Sequence, residues 1–416
     1  MKNTALKIFP FLTHYKKLER HILQFIVSVF FIQLINTAFM SIMLIYMAKA
    51  GYKDYESASF VSYRFLGVLL FSFPLGLLIK GRKIKPIFYI SSILTPLLSL
   101  IIIQAIDMQL NWLLYSSLFA WGVSFTGLHV SALPYILRNA KDETHTEAIT
   151  LNFSTWSTAN IISGSLIFGL KNINPEFFDE KLILQIISCL GFFSAVTIFS
   201  IKKPEFVPHT TSNRLSFREI DWLIIFKALF PTIIIAVGAG LTIPFIGLFF
   251  FKVHNLDSDQ FAILSAFATI IVFCFVLLVP AIKKKFGYKK AIPLTQLISI
   301  IALVILASTE IINTWFAVYI AMAMFLIRQP FMNMAAPMTS DLVMKYVGEK
   351  NREIMSALTA SVWSGSWYIS SKIFQLLRQT GLQYIYVFFI TAGLYLFGVF
   401  LYYLLILDSE RKELTT

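Results

Sequence analysis

Long uncharged stretches recur along this chain, and they constrain its fold more than any other feature of the sequence. The first of them runs from Ile22 to Ala48. An α-helix rises about 1.5 Å per residue, so about 20 apolar residues cross the roughly 30 Å hydrocarbon layer of a bilayer. Of the 416 residues, 57% are hydrophobic and only 14% are charged, which is too apolar for a soluble globular protein. The sequence therefore predicts an all-α protein that crosses the membrane many times.

Twelve long stretches with few or no charges delimit the predicted spans, which we number one to twelve along the chain. They cover residues 22–48, 57–80, 85–106, 110–137, 147–170, 181–201, 221–251, 259–282, 290–309, 312–340, 353–377 and 382–407. Connections as short as Asp107 to Gln109 require neighbouring helices to be antiparallel. The first span far exceeds the apolar core of a signal peptide, about 7 to 15 residues, so we expect it to be retained.

The basic residues indicate the orientation in the membrane. Of the 35 Lys and Arg, 25 lie before span one, after span twelve or in the alternate loops on that side, and the opposite loops hold 6. By the positive-inside rule both termini are cytoplasmic, as an even number of spans also requires. The Ile, Phe and Lys content suggests a bacterial inner membrane. Because the net charge of +13 is spread between spans, the sequence argues against nucleic-acid binding.

The chain also divides into two halves. The longest loop, 202–218, contains two prolines and a Thr-Thr-Ser-Asn run, so we predict a six-helix bundle over 1–201, a cytoplasmic linker over 202–218 and a second bundle over 219–416. Trp156-Ser157 and Ile162-Ser163 in span five recur at an offset of 207 residues as Trp363-Ser364 and Ile369-Ser370 in span eleven. This spacing is typical of a duplicated six-span unit.

The loop between spans eight and nine resembles a pattern of the major facilitator superfamily of secondary transporters, G-x-x-x-D-R-x-G-R-K. Here the segment 280–290 reads Pro-Ala-Ile-Lys-Lys-Lys-Phe-Gly-Tyr-Lys-Lys, with Gly287, Lys289 and Lys290 in register. The shorter loop between spans two and three keeps Gly76, Gly81 and Arg82. The acidic position of the pattern is a lysine in both loops, Lys284 and Lys80, so the family's charge contact with a neighbouring helix end cannot form in the usual way.

The resemblance implies the fold of that superfamily, two six-helix bundles that expose a central site to one side of the membrane at a time. It implies that spans one, four, seven and ten line the site, that these two loops contribute to gating and that the protein is a monomer. Its partners would be a small-molecule substrate and the lipid bilayer. No cofactor or metal is expected, because the sequence has no nucleotide-binding, metalloprotease or nucleophile-elbow motif. We accordingly expect a protein that is not an enzyme.

Two of these spans carry polar residues along one helical face. Span one has Gln33, Asn36, Thr37 and Met40 at i, i+3, i+4 and i+7. Span ten has Arg328, Gln329, Met332 and Asn333, again on one face. Such residues avoid lipid, since unpaired polar groups and charges in hydrocarbon cost several kcal/mol. On these faces we interpret six residues as substrate-binding, and hydrogen bonding between helices is the alternative. They are Gln33, Asn36, Met40, Arg328, Gln329 and Asn333.

Spans four, five and eleven supply further candidates for substrate binding. His129, with Thr126 one turn before it, has an ordinary pKa near 6.5 that suits proton transfer, although a lone histidine in a helix is often a structural hydrogen-bond partner. Asn152, Trp156 and Trp363 occupy the repeated polar and aromatic faces, and packing or lipid contact is the alternative.

The distribution of charge favours one class of solute. All 22 Asp and Glu lie in loops or at span ends, whereas Arg64, Lys227, Arg328 and Lys372 lie within spans. A positive cavity without carboxylates fits an anionic or polar neutral solute, with exchange, facilitated diffusion or a histidine-dependent proton step as the coupling. The sequence therefore favours a secondary transporter of such a solute. A drug or metabolite efflux permease of the same fold and a transport-inactive receptor or scaffold are the alternatives.

Overall fold

The structure, a computed structural model, describes residues 18–79, 82–207, 221–312, 314–348 and 351–415. Within these ranges the secondary structure is helical and there is no β-strand. The α-helices are Arg20–Lys49, Asp54–Leu78, Lys85–Asp107, Asn111–Asn139, His145–Ile173, Glu180–Gly191, Phe193–Phe199, Trp222–Thr242, Ile246–His254, Ser258–Val276, Val279–Ser308, Ala317–Val347, Arg352–Gln379 and Tyr384–Thr415. Each of the twelve predicted spans contains one or two of these helices.

Nine of the described helical segments are long and apolar enough to cross a membrane. The helices outside this set, 145–173, 317–347 and 352–379, belong to spans five, ten and eleven, which contain several of the polar residues singled out above. Exposed Phe, Leu, Ile and Trp side chains are numerous along the helices, as expected for surfaces that face lipid. The prediction of an all-α polytopic membrane fold is confirmed.

By internal contacts the described residues form two compact units. One contains those within 1–43 and 70–213, and the other contains those within 44–69 and 214–416. The end of span one and most of span two thus group with the C-terminal half of the chain. The two-bundle division at residues 202–218 stays a prediction.

In the first unit, hydroxyl groups link neighbouring helices. The hydroxyls of Ser28 and Ser194 lie 2.7 Å apart, as do those of Thr95 and Ser124. The indole N–H of Trp121 donates to the Ser99 hydroxyl at 2.8 Å. These bonds satisfy buried polar groups inside the protein, which a membrane helix requires because lipid tails accept and donate no hydrogen bonds.

In the second unit, a glycine permits close packing of spans seven and eleven. A methyl group placed on Gly240 would lie 2.7 Å from the Cβ atom of Ser370 and 3.1 Å from the Cα atom of Trp367. The Ser370 hydroxyl donates to the Val237 carbonyl at 2.7 Å across the same contact. Because those carbon atoms belong to or adjoin the backbone, the contact cannot relax by a side-chain rotation.

We therefore predict that Gly240→Ala separates these helices and lowers the free energy of unfolding by about 1 to 3 kcal/mol, a typical cost of overpacking. Thermal unfolding in detergent would measure the effect. Gly393→Ala in span twelve is the matched control, because nothing lies within 4 Å of its added methyl group. Since alanine favours helix over glycine, this control should be neutral or slightly stabilising. Equal melting temperatures for both variants would contradict the close packing at Gly240.

Candidate functional site

A cavity of about 190 Å³ lies within the second unit. Its lining combines apolar side chains with hydroxyl and amide groups and one charged side chain, that of Arg328. The described lining residues are Thr232, Ile235, Ala239, Ile243, Gln296, Arg328, Gln329, Met332, Asn333, Ala335, Ala336, Thr339, Ser340, Val343, Met344, Thr359, Trp363, Tyr395 and Tyr402. None of them is Asp or Glu. The whole predicted face of span ten therefore lines one cavity, together with Trp363 of span eleven.

Arg328 has no exposed surface, and neutral groups are its hydrogen-bond partners in the described protein. One terminal nitrogen donates to the Gln329 side-chain oxygen at 3.2 Å, and the other donates to the Tyr395 hydroxyl at 3.3 Å. The Nε atom is buried and has no partner among the described residues. A guanidinium has five N–H donors, so about three are left for a ligand.

Span nine holds the backbone beside Arg328 in place. The Ser299 hydroxyl donates to the Arg328 carbonyl at 3.2 Å. One turn earlier in span nine, the Oε1 atom of Gln296 is buried beside the cavity and has no described partner. The cavity thus offers a fixed positive group together with an amide, which can orient a polar ligand.

Sequence reasoning missed several members of this lining. Gln296 is the single amide in the apolar run of span nine and could have been found by that signal. Tyr395 and Tyr402 could not have been found in this way, because aromatic residues make up 16% of the chain and most of them pack or face lipid. Only the packing of span twelve against span ten identifies Tyr395 as the partner of Arg328.

The polar face of span one is buried within the first unit. The side-chain amide of Asn36 donates to the Gln33 oxygen at 2.9 Å. The hydroxyl of Thr37 lies 3.1 Å from that of Ser163 in span five and donates to the backbone of its own helix. Met40 is partly exposed. The face does not point outward at lipid, and hydrogen bonding within the unit accounts for part of it.

Each of the other candidates in the first unit has its own local contacts. Thr126 donates to the Gly122 carbonyl of its own helix, and the exposed His129 ring stacks on Phe125 with centroids 5.3 Å apart. The Oδ1 atom of Asn152 is buried without a described partner, and about half of the Trp156 side chain is exposed. Their role in substrate binding stays a prediction.

The remaining cations within spans do not line the cavity. Arg64 is buried and lies against the Phe65 ring, and Lys227 is exposed. Lys372 donates to the Ser59 hydroxyl at 3.2 Å and to the Gln375 side chain at 3.3 Å, and it lies over the Tyr63 ring. Arg328 is therefore the one embedded cation that the described cavity contains.

The sequence profile of the Major Facilitator Superfamily matches residues 25–371. The chain belongs to this superfamily. Its members are membrane transporters, so the predicted family is confirmed and a general role in transport follows. Among curated proteins, none matches the sequence.

Solved structures of transporters share the fold of this Major Facilitator Superfamily protein. A bacterial homologue of the iron transporter ferroportin, in an inward-facing state, has a TM-score of 0.73 at 13% identity and covers 94% of this chain and 98% of its own. A nucleoside transporter has a TM-score of 0.69 at 15% identity, with 93% and 99% covered. A D-xylose–proton symporter has a TM-score of 0.69 at 13% identity, with 92% and 97% covered. Such low identities establish the fold alone.

The segment between spans eight and nine forms an ion pair through Lys283, one residue before the family's acidic position. Gly287 has a φ of 63°, which glycine adopts without strain. Lys283 forms an ion pair of 2.5 Å with Asp341 at the end of span ten, and the Tyr288 hydroxyl also donates to this carboxylate. Lys284, at the family's acidic position, is exposed. The predicted loop is thus largely helical: Lys283 lies in the helix Val279–Ser308 before a kink at Gly287, and Asp341 lies in the helix Ala317–Val347.

The remaining loop candidates have separate contacts. Lys289 pairs with Glu410 at 3.2 Å, and Lys290 is exposed. In the other loop, the carbonyl of Arg82 accepts from Arg138 at 2.9 Å. Gly76 has open space around it, and Gly81 lies outside the described residues. The participation of these residues in gating stays a prediction.

Two residues that the sequence did not single out organise the turn between spans two and three. Arg138, at the end of span four, donates to the Ile79 and Arg82 carbonyls at 2.9 Å. The carboxylate of Glu205 accepts from the backbone N–H groups of Ile84 and Lys85, at the start of span three. A carboxylate at a helix N-terminus is stabilising. The first residues of the predicted linker therefore bind to the first unit.

We predict that Lys283→Gln and Asp341→Asn each lower the melting temperature at pH 7 by about 1 to 2 °C, a small effect because the pair is partly exposed. Lys283, and then Tyr288, hold the pKa of the Asp341 carboxyl below its ordinary value. A lowered carboxyl pKa stabilises the protein above the unfolded pKa, near 4, and this contribution is lost as the pH falls through the folded pKa. Thermal unfolding from pH 7 to pH 3 would measure it.

Lys284→Gln is the matched control, because it removes an exposed lysine from the same loop and leaves the ion pair intact. It should melt like the wild type throughout this pH range. A gap between wild type and Asp341→Asn that persists or widens at low pH would contradict a carboxylate contact.

Proposed function

We propose that this chain transports a small organic anion of single negative charge and exposes it to one side of the membrane at a time. The observation that carries the proposal is Arg328, a fully buried guanidinium that lines a cavity. Its hydrogen-bond acceptors among the described residues are all neutral. A carboxylate, sulfonate or phosphate diester would supply the missing acceptors. Charge-assisted hydrogen bonds of this kind are about twice as strong as neutral ones.

The size and lining of the cavity support a small ligand with an apolar part. Met332, Met344 and Val343 line it beside Trp363, and these side chains can contact the body of a ligand whose anionic group faces Arg328. Arg328 is the single cation among the described lining residues. The cavity therefore favours a ligand with one negative charge over a ligand with two, because the second charge would be buried without a partner. The first-unit candidates remain predicted contributors to the substrate site: Gln33, Asn36, Met40, Thr126, His129, Asn152 and Trp156.

The charge requirement can be tested with pairs of compounds of nearly equal shape. The anions are lactate, nicotinate and benzenesulfonate, and their neutral counterparts are lactamide, nicotinamide and benzenesulfonamide. A ligand that binds only the folded protein raises its melting temperature by mass action. We expect at least one anion to stabilise the purified protein and its amide to have little effect.

We predict that Arg328→Gln weakens binding of that anion by about ten- to hundredfold, the value of a charged hydrogen bond. Arg328→Lys should bind with intermediate affinity, because it keeps the charge and loses the planar arrangement of donors. Titrations of the melting temperature against ligand concentration would give both values, after size-exclusion chromatography has shown that each variant is folded and monodisperse.

Lys372→Gln is the matched control, since it removes an embedded cation that does not line the cavity. Its affinity for the anion should equal that of the wild type. The proposal fails if no anion of the set is bound, if the amides bind as well as the anions, or if Arg328→Gln binds as the wild type does. Binding without any uptake into proteoliposomes would instead favour a receptor of the same fold.

A further inference from the structure

We infer that transport is an obligate exchange, in which the substrate site crosses the membrane only with an anion bound. The inference rests on the proposed function and concerns its coupling. Sequence reasoning left exchange, facilitated diffusion and a histidine-dependent proton step open, and the surroundings of Arg328 decide among them.

The first observation is that the guanidinium lacks a counter-charge in the described protein. Its hydrogen bonds go to the Gln329 oxygen and the Tyr395 hydroxyl, and its Nε atom has no partner. No Asp or Glu occurs among the described residues of the cavity lining. A guanidinium keeps its charge in proteins, so deprotonation does not relieve this situation.

The second observation is that two other largely covered cations are each paired with a carboxylate of the protein. In the first unit, Lys171 and Glu180 are both buried and form an ion pair of 2.5 Å. In the second unit, Arg378 pairs with Asp54 at 2.7 Å, and both side chains are largely covered. In these two places a carboxylate of the protein compensates the covered cation. At Arg328 the described lining residues include no carboxylate, so the counter-charge is left for a ligand to supply.

The electrostatics of the transport cycle follow from these two observations. With a monoanion bound, the site is neutral and can be enclosed at little cost. Without one, enclosure removes water from an uncompensated guanidinium, and the desolvation of an unpaired charge opposes that step strongly. Water can solvate Arg328 while the cavity is open to either side. The energetic barrier therefore arises in the intermediate state in which the empty cavity is closed to both sides.

This barrier discriminates among the three modes of coupling. Facilitated diffusion requires the empty site to return across the membrane. Symport with a proton through His129 requires the same return step, because the proton leaves together with the solute. Exchange alone keeps an anion on Arg328 in both directions of the cycle. The structure therefore favours a one-for-one exchange of monoanions, which also moves no net charge.

The experiment uses the full-length protein in proteoliposomes and tritiated lactate, nicotinate and benzenesulfonate in separate assays. One set of vesicles contains the same unlabelled anion, and the other contains only a zwitterionic buffer and sucrose. We expect initial uptake into the anion-loaded vesicles to be at least about tenfold faster for any anion that the protein transports. Lys372→Gln should keep this dependence on internal anion, which would show that it does not require this embedded cation outside the cavity.

The outcomes separate the inference from the proposed function. Uptake that is equally fast into loaded and empty vesicles overturns obligate exchange and leaves the anion transporter in place. Uptake into loaded vesicles that is driven by an imposed membrane potential also overturns it, because one-for-one exchange of monoanions is electroneutral. Absence of uptake for all three anions in both vesicle sets, together with absence of Arg328-dependent binding, overturns the proposed function itself.

Discussion

A hydrocarbon layer offers no hydrogen-bond partners to the groups that enter it, and the whole structure depends on this constraint. It requires helices, since only they satisfy every backbone group within one segment. It also explains the way hydroxyl side chains are used. Thr37 and Thr126 donate to carbonyls of their own helices, and Ser28 bonds to Ser194 on a neighbouring helix. These hydroxyl groups are thus compatible with the membrane because the protein itself supplies their partners.

Charged groups obey the same constraint more strictly, because an unpaired charge costs far more to bury than a hydroxyl does. Lys171 satisfies it with Glu180, and the exposed loop lysines satisfy it by remaining in water. Arg328 satisfies it only in part, through the Tyr395 hydroxyl and the Gln329 amide. A buried charge whose protein partners are incomplete stays compatible with folding when water or an anion can reach it. The burial of Arg328 in the packing of span ten therefore requires that water or a bound anion can reach its guanidinium.

The sequence predicted the fold well because hydropathy is a sum over some twenty residues and tolerates individual exceptions. It predicted Arg328, Gln329, Met332 and Asn333 as one face because helical spacing alone determines which side chains share a side. It could not predict Tyr395, since its pairing with Arg328 depends on how span twelve packs. Nor could it predict that residues 44–69 group with the C-terminal half, because contacts between distant segments leave no periodic signal in one sequence.

The ion pair of Lys283 and the cavity residue Arg328 illustrate two different roles of charge, one structural and one in ligand recognition. A structural ion pair needs opposite charges on two neighbouring elements, and either element can carry either sign. Lys283 and Asp341 form such a pair in a chain that has a lysine, Lys284, at the family's acidic position. A bound solute, in contrast, recognises the sign of the charge itself. Because exchanging a cation for an anion at position 328 would invert the charge that a solute has to carry, this position can determine the substrate class while the helices around it stay unchanged.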